Sequence, residues 1–98
     1  MKLEAKNVVV VGLARSGLAV ARFLKAQGAQ VTVTDQAVDE VLGHFVDEAR
    51  KLTIQLELGG HRAATFEAAD MIVISPGVPH TIDPLVKARQ RGIPVIGE

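Results

Sequence analysis

The chain has 98 residues, enough for one small hydrophobic core, and we expect residues 1–98 to form a single domain. Eleven Lys and Arg residues balance eleven Asp and Glu residues, so no excess charge favours nucleic acid or an anionic membrane as a partner. The absence of cysteine excludes disulfides, a thiolate nucleophile and a cysteine metal site. The apolar runs are too short to cross a bilayer and the first residues lack the apolar centre of a signal peptide, so we expect a cytoplasmic protein. No feature of the sequence indicates an oligomer.

Four consecutive valines, Val8–Val11, lead directly into Gly12 and predict a strand over residues 7–11. Such an unbroken apolar run is typical of a parallel strand that is covered on both faces. The next segment has helical periodicity, and we predict a helix from Ser16 to Gln27 that ends before a left-handed Gly28. The predicted buried face of this helix carries Val20, Phe23 and Leu24, with the small residues Gly17 and Ala21 beside them.

The turn between this strand and helix has a spacing close to G-x-G-x-x-G, with Gly12 and Gly17 at the outer positions and Ala14 at the middle one. The first N–H groups of a helix have no intrahelical partner and can bind an anion such as a phosphate. The turn therefore predicts a phosphate site. The alternative is a plain strand–helix corner whose glycines serve only close packing.

The segment Val31–Thr34 predicts a second strand, and Asp35 follows it directly. In dinucleotide-binding folds, an acid about 20 residues beyond the glycine turn accepts a hydrogen bond from a ribose hydroxyl. The position of Asp35 therefore predicts a role in ligand binding. The alternatives are that Asp35 caps the next segment or is a solvated turn residue.

Apolar residues at helical spacing, beginning with Val38 and Val41, predict a helix over residues 38–52 that is weakest at Gly43. His44, on the polar side of this helix, is interpreted as a solvated side chain.

The rest of the chain continues the alternation of strands and helices. We predict an edge strand over residues 53–58, a short helix over 62–68, a buried strand over 71–74, a helix ending near 91 and a final strand over 94–96. Asp83 is predicted to be the N-cap of the last helix, with Pro84 at its first position. His61, in a turn, is interpreted as structural or solvated.

This alternation predicts an α/β fold with a single doubly wound parallel sheet of five strands, Rossmann-like, in the order 3-2-1-4-5. Ligands of such sheets bind beyond the carboxyl ends of the strands, where the direction of winding reverses. Three segments converge at that point, namely Gly12–Gly17, Asp35 and Ser75–Val78. The sequence therefore predicts one crevice for a ligand with a phosphate or diphosphate and a polar ring or ribose.

Five short motifs are distributed over nearly the whole chain. They are V-V-G-L-A-R-S-G-L-A at residues 10–19, V-T-D at 33–35, L-G-G-H at 58–61, I-S-P-G-V-P at 74–79 and I-G-E at 96–98. Together they resemble the N-terminal domain of the Mur ligase family, in particular its UDP-N-acetylmuramoyl-L-alanine:D-glutamate ligases. The resemblance implies that the domain binds the UDP part of UDP-MurNAc-L-alanine in peptidoglycan precursor synthesis, and is not an NAD site.

The resemblance also implies a role for individual residues. The backbone of Arg15 and Ser16, beside Gly12, Ala14 and Gly17 of the glycine turn, is expected to face the diphosphate. Residues 35 and 36 are expected to address the uracil, and residues 75–77 to line the crevice.

Some of these residues agree with the family pattern and others depart from it. Asp35 matches the family motif. Gln36 occupies a position where family members have a threonine or serine-like residue, and Ala37 a position where a basic residue is frequent. In the other loop, Ser75, Pro76 and Gly77 keep the motif, with Gly77 expected near the phosphates or the sugar.

The family reaction uses ATP and Mg²⁺ to form an acyl phosphate, but this sequence has no G-x-x-G-K-[ST] loop to hold ATP. We therefore expect no cofactor and no catalysis in this chain, which would be the N-terminal piece of a larger ligase and would have the other domains as partners. The alternative is a regulatory or dehydrogenase-type domain that binds NAD(H), which Asp35 favours and Ala14 and Ser75–Gly77 oppose. A scaffold domain without a ligand is the third interpretation.

Overall fold

The computed structural model describes residues 2–97, so Met1 and Glu98, the last residue of the I-G-E motif, lie outside it. Parallel strands alternate with helices along the described chain. The strands are β1 (Asn7–Val11), β2 (Gln30–Asp35), β3 (Gln55–Leu58), β4 (Met71–Ile74) and β5 (Val95–Gly97). The helices are α1 (Arg15–Ala26), α2 (Asp39–Leu42), α3 (His44–Lys51), α4 (Ala63–Glu67) and α5 (Asp83–Gln90).

Strand β1 lies at the centre of the sheet, whose order is β3-β2-β1-β4-β5. It pairs in parallel with β2 on one side and with β4 on the other, so that Val8 is in register with both Val31 and Met71. This arrangement confirms the predicted α/β fold, the doubly wound sheet and its strand order. The winding reverses between β1 and β4, which places the loops after these two strands side by side.

The valines of β1 contribute to two hydrophobic cores, one on each face of the sheet, because successive strand side chains point to opposite faces. Val8 and Val10 pack in the core that includes the buried residues of α1 and α3. Val9 and Val11 pack in the core that includes the buried residues of α4 and α5. All four are at most 2% exposed, and full burial of a valine stabilises a fold by roughly 1.5–3 kcal/mol.

The helix predicted over residues 38–52 is divided into α2 and α3. Gly43 separates them with φ of +57° and ψ of −125°, a backbone conformation outside the helical region. The segment before Gly43, which includes α2, therefore does not continue the buried face of α3. Val38 and Val41, predicted on the buried face, are 48% and 74% exposed.

The buried face of α1 also differs from the prediction. Gly17, Leu18, Ala21 and Leu24 are buried, whereas Phe23 is 60% exposed. The small residues let the helix axis lie close to β1, so the side chains that face the sheet follow the 17–21–24 spacing and leave the aromatic ring outside.

The start of α5 is shifted by one residue from the prediction. Ile82 is the N-cap, and Asp83 is the first helical residue rather than the cap, with Pro84 following it. The Asp83 carboxylate instead forms an ion pair with Lys87 one turn later, at 3.0 Å between Oδ2 and Nζ.

The remaining bounds agree with the predictions to within two residues, and Gly28 has the predicted positive φ, +90°. Among residues 2–97, no helix has the length and apolar character needed to cross a membrane.

Helix α1 begins in direct contact with the glycine turn. A Cβ atom placed on Gly17 would overlap the carbonyl oxygen of Gly12 and would lie 2.8 Å from the Ser75 hydroxyl oxygen. No side chain fits between the helix and the loops that follow β1 and β4.

We therefore expect Gly17→Ala to lower the free energy of unfolding by about 1–3 kcal/mol, because the crowding of a well-packed site outweighs the higher helix propensity of alanine. Urea denaturation of the chain measures this loss. Ser16→Ala, at the exposed neighbouring position in the same turn, is the matched control and should change stability by less than about 0.5 kcal/mol. A stabilising Gly17→Ala would contradict the close approach.

Candidate functional site

The glycine turn after β1 is held by hydrogen bonds from both neighbouring strands. The Gly12 amide donates to the Thr34 carbonyl oxygen at 2.7 Å, and the Ser75 hydroxyl donates to the Gly12 carbonyl oxygen at 3.1 Å. Gly12 has a φ of +103°, and an added Cβ would lie 3.0 Å from Cγ2 of Val78. Glycine is required here both for its left-handed backbone and for the space it leaves.

Asp35, the last residue of β2, binds two backbone amides with its two carboxylate oxygens. Oδ2 accepts from the Leu13 amide at 2.7 Å, and Oδ1 accepts from the Ala37 amide at 2.8 Å. The side chain therefore joins the glycine turn to the loop after β2. Each ionised carboxylate oxygen can accept a further hydrogen bond, so this bracing role leaves acceptor capacity for a ligand.

The N-terminus of α1 carries no cap from a side chain. Ala14 is the N-cap residue with an extended backbone, and the first turn of the helix contains no acidic residue. The first intrahelical bond runs from the Leu18 amide to the Ala14 carbonyl oxygen at 2.8 Å. The N–H groups of Arg15–Gly17 precede that bond, so the positive end of the helix dipole is available to an anion.

Two cavities open at this edge of the sheet. The first, of about 180 Å³, is polar on one side and is lined by Gly12, Asp35, Gln36, His61, Gly77, Val78, Pro79 and Ile82. The second, of about 140 Å³, is mainly apolar and is lined by Ser16, Val20, Val73, Ile74, Ser75, Pro76, Ile96 and Gly97.

The structure thus brings together most of the residues predicted to form the site, but in two cavities rather than in one crevice. Gly12 lines the first cavity and Ser75 lines the second, so the hydrogen bond between them joins the walls of the two. Arg15 lies apart in a third depression, of about 270 Å³, between α1 and α3. Its backbone remains at the helix start, where the prediction placed it.

The sequence that builds this site matches a known family. The family model for the Mur ligase MurD-like N-terminal domain matches residues 6–97. The chain belongs to the MurD-like family of Mur ligase N-terminal domains.

Curated relatives of this MurD-like domain are much longer than the chain itself. The UDP-N-acetylmuramoylalanine–D-glutamate ligase of Desulfosudis oleivorans is 58% identical over the whole chain, which spans 21% of that relative. The ligase of the same name from Geotalea daltonii is 47% identical over the whole chain, which spans 22% of it.

Solved structures give the same picture of the fold. A pseudomurein peptide ligase type C from Methanothermus fervidus superposes with a TM-score of 0.78 and 31% identity over 94% of this chain and 19% of its own. A dipicolinate synthase chain from Bacillus halodurans has a TM-score of 0.74 over 98% of this chain and 39% of its own. Its 18% identity shows a shared fold alone.

A histidine that sequence reasoning interpreted as structural or solvated lines the first cavity of the MurD-like domain. His61 follows β3, and its Nδ1 lies 2.9 Å from the hydroxyl oxygen of Thr34, a residue 27 positions away. The L-G-G-H motif was the signal that could have placed His61 at the site. It lies at the carboxyl end of a predicted strand, and the carboxyl ends of parallel strands share the edge of the sheet where the site was expected. His44 is exposed beside Phe45, with 4.3 Å between ring centroids, as its interpretation as a solvated side chain predicts.

The environment of His61 disfavours its protonated form. Burial lowers the pKa of its imidazole below 6.5, although the negative charge of Asp35 acts in the opposite direction. Across the part of the chain that the structure describes, no group of three or more His, Asp or Glu side chains is arranged to hold a metal ion.

The contacts of Asp35 predict a loss of stability in Asp35→Asn. An amide side chain keeps one acceptor oxygen, so either the Leu13 or the Ala37 amide loses its partner, at a cost of about 1–3 kcal/mol in the free energy of unfolding. Urea denaturation measures it. Asp47→Asn, at an exposed position in the first turn of α3, is the control and should cost less than about 0.5 kcal/mol. Equal effects of the two substitutions would contradict the bracing role.

The lowered pKa of His61 predicts part of the pH dependence of stability. The unfolded chain takes up this proton near pH 6.5 and the folded chain only at lower pH, so the contribution is present above 6.5 and is lost as the pH falls. Between pH 7 and pH 5, His61→Gln should therefore lose less unfolding free energy than the unsubstituted chain, as measured with urea. His44→Gln is the control and should retain the pH dependence of the unsubstituted chain. An equally small loss of unfolding free energy in His44→Gln would argue against assigning this pH dependence to His61.

Proposed function

We propose that this chain is the part of a UDP-N-acetylmuramoylalanine–D-glutamate ligase that binds the UDP moiety of UDP-N-acetylmuramoyl-L-alanine. Family membership supports the kind of ligase. The observation that carries the binding role is the uncapped N-terminus of α1, placed beside a turn that β2 and β4 both brace.

The diphosphate is assigned to the amides at the start of α1. A helix N-terminus attracts negative charge through its dipole and its unpaired N–H groups. Arg15 and Ser16 are exposed there, with no acidic side chain in the first turn to repel an anion. Gly12, Ala14 and Gly17 contribute backbone and space, because a larger residue at Gly12 would crowd the loop after β4 and one at Gly17 would collide with the Gly12 carbonyl oxygen.

The uracil and the ribose attached to it are assigned to the first cavity, the base beside Asp35 and Gln36 and the ribose toward Gly77. Asp35 has acceptor capacity for an N–H group of the base, and Gln36 beside it can both donate and accept. Gly77, exposed with a φ of +90°, lets the loop after β4 turn over this cavity. Ser75 holds that loop against the glycine turn through its hydrogen bond to Gly12, and Pro76 after it lines the second cavity.

Ligation itself is assigned to the parts of the relatives that lie outside this chain. The chain spans about a fifth of the length of these relatives. Its sequence has no G-x-x-G-K-[ST] loop, and residues 2–97 have no cluster of metal-ligating side chains, so these residues do not fit ATP or Mg²⁺. The proposed role is to bind and orient a substrate, and the isolated chain should form no peptide bond.

A titration followed by ¹⁵N–¹H spectra tests this proposal. Addition of UDP-MurNAc-L-alanine should shift the amide signals of Arg15, Ser16, Asp35 and Gly77, because these groups lie at the start of α1 and in the polar cavity. NADH is the control ligand. Shifts of these amides with NADH and none with the UDP-sugar would contradict the proposal and favour a dinucleotide site.

A pair of variants isolates the backbone contact within the same experiment. Arg15→Pro removes the amide proton at the first helical position, where proline is tolerated, and Ala14 before it already has the extended backbone that a following proline requires. Arg15→Ala removes only the side chain. Arg15→Pro should bind the UDP-sugar about tenfold to a hundredfold more weakly than Arg15→Ala, as expected for a hydrogen bond to a charged group. Equal affinities would exclude this amide from the site.

A further inference from the structure

His61 is a polar residue of the first cavity whose role the proposed function leaves open. Its ring lines the cavity together with Gly12, Asp35 and Gln36. The ring lies edge-on to Phe66, with 5.9 Å between centroids and an interplanar angle of 85°. Its Nδ1 is 2.9 Å from the Thr34 hydroxyl. These two contacts fix the orientation of the ring, so His61 is a positioned side chain and not a freely rotating one.

The contact with Thr34 also selects the tautomer of His61. Thr34 is completely buried, and His61 is the hydrogen-bond partner that its hydroxyl has within residues 2–97. A buried hydroxyl that does not donate its proton carries a large desolvation cost. The Thr34 O–H group therefore donates to Nδ1, and in the neutral ring the proton then resides on Nε2.

The neutral form of the ring is favoured at pH 7, because burial lowers the pKa of His61 despite the nearby negative charge of Asp35. Asp35 is also the other titratable residue that lines this cavity. The cavity thus combines a carboxylate with acceptor capacity and an uncharged ring whose remaining nitrogen is a donor. Two groups of fixed and opposite hydrogen-bonding character are brought together in one polar recess.

We propose that His61 is a specificity-determining residue for uracil, donating from Nε2–H to a carbonyl oxygen of the base. This inference rests on the proposed function, because it assumes that the first cavity receives the base of a uridine nucleotide. The imide edge of uracil has an N–H donor between two carbonyl acceptors, which complements a carboxylate beside an N–H donor. Cytosine replaces one of these carbonyls with an amino donor and lacks the N–H group.

A neutral donor also discriminates between a base and a phosphate. A phosphate bound at His61 would favour the protonated ring and would raise its pKa. A carbonyl oxygen leaves the ring neutral and the tautomer unchanged. The protonation state of His61 in the complex therefore shows whether the group bound to it is a phosphate or a carbonyl oxygen of the base.

Two substitutions of His61 separate the contact of Nδ1 with Thr34 from the hydrogen-bond donor at Nε2. Asn retains a polar group near the position of Nδ1, so it can still pair with Thr34, but it lacks the Nε2 donor. Gln reaches toward the position of Nε2 and retains a donor there. The binding of UDP and of CDP to the chain, measured by calorimetry, compares two diphosphates that differ only in the base.

The unsubstituted chain should bind UDP more tightly than CDP. His61→Asn should weaken UDP binding by about threefold to tenfold, the equivalent of one net hydrogen bond, and should leave CDP binding unchanged. His61→Gln should retain more of the preference for UDP. A role limited to holding the loop would weaken both nucleotides equally, so an unchanged UDP-to-CDP ratio in His61→Asn would overturn the proposal.

Ring ¹⁵N spectra supply an independent measurement. The Nε2–H tautomer should be present in the free chain and should persist with UDP, whereas inorganic phosphate should leave the ring signals in place. Protonation of His61 on binding either ligand would overturn the base contact. If UDP shifts the amides of Arg15 and Ser16 but the ratio of UDP to CDP affinity is unchanged in His61→Asn, the role of His61 is wrong and the proposed function stands. If neither UDP nor CDP binds the unsubstituted chain, the role of His61 and the proposed function are both wrong.

Discussion

The hydrogen bond from the Leu13 amide to the Asp35 carboxylate is the interaction on which the functional edge depends. The chain leaves β1 at Gly12 in a left-handed conformation, and the amide of the next residue, Leu13, is bonded to a side chain and not to a strand backbone. Unpaired buried amides are rare in folded proteins because they are costly. Asp35 supplies an acceptor at 2.7 Å, Thr34 supplies another through its carbonyl oxygen, and Ser75 holds the Gly12 carbonyl from the other side. Three adjacent strands thereby determine the path of one turn.

This bracing compensates for a helix that begins without a cap. A Ser, Thr, Asp or Asn at the N-cap stabilises a helix by about 0.5–2 kcal/mol relative to alanine, yet the N-cap residue of α1 is Ala14. A capping side chain would occupy the first N–H groups, which are the groups that an anion needs. The turn is therefore held by distant residues and not by a local cap. Functional sites are where such departures from local preference are expected.

The central part of the fold could be predicted because it depends on local patterns. The valines of β1, the glycine spacing and the alternation of strands and helices were sufficient for the order β3-β2-β1-β4-β5 and for the meeting of the loops after β1 and β4. The same patterns failed where one residue decides between two local geometries. Gly43 ends a helix whose apolar periodicity continues through it, and Phe23 has the spacing of a buried residue but lies outside the face set by Gly17 and Ala21.

The finer structure of the candidate site was not predictable, because it depends on contacts between residues far apart in the chain. Asp35 was assigned to a ligand, to a cap or to a solvated turn, whereas its first role in the fold is to bind the amides of Leu13 and Ala37. His61 and Thr34 are 27 residues apart and meet only because β2 and β3 are neighbours. The L-G-G-H motif places His61 at the right edge of the sheet, but no periodicity or motif shows that its partner is Thr34. The division of the expected crevice into two cavities likewise follows from the contact between Ser75 and Gly12.

That division is compatible with an extended ligand. A nucleotide sugar has a flat polar base at one end, a charged diphosphate in the middle and a bulky group at the other end. The first cavity is polar beside Asp35, the start of α1 offers backbone donors, and the second cavity is apolar between Val20, Val73 and Ile96. A ligand bound across all three would need its anionic centre at the wall that Gly12 and Ser75 form. Under the proposed function, the braced turn is therefore the point that sets the register of the whole substrate, since a shift of this wall would move the base and the sugar together.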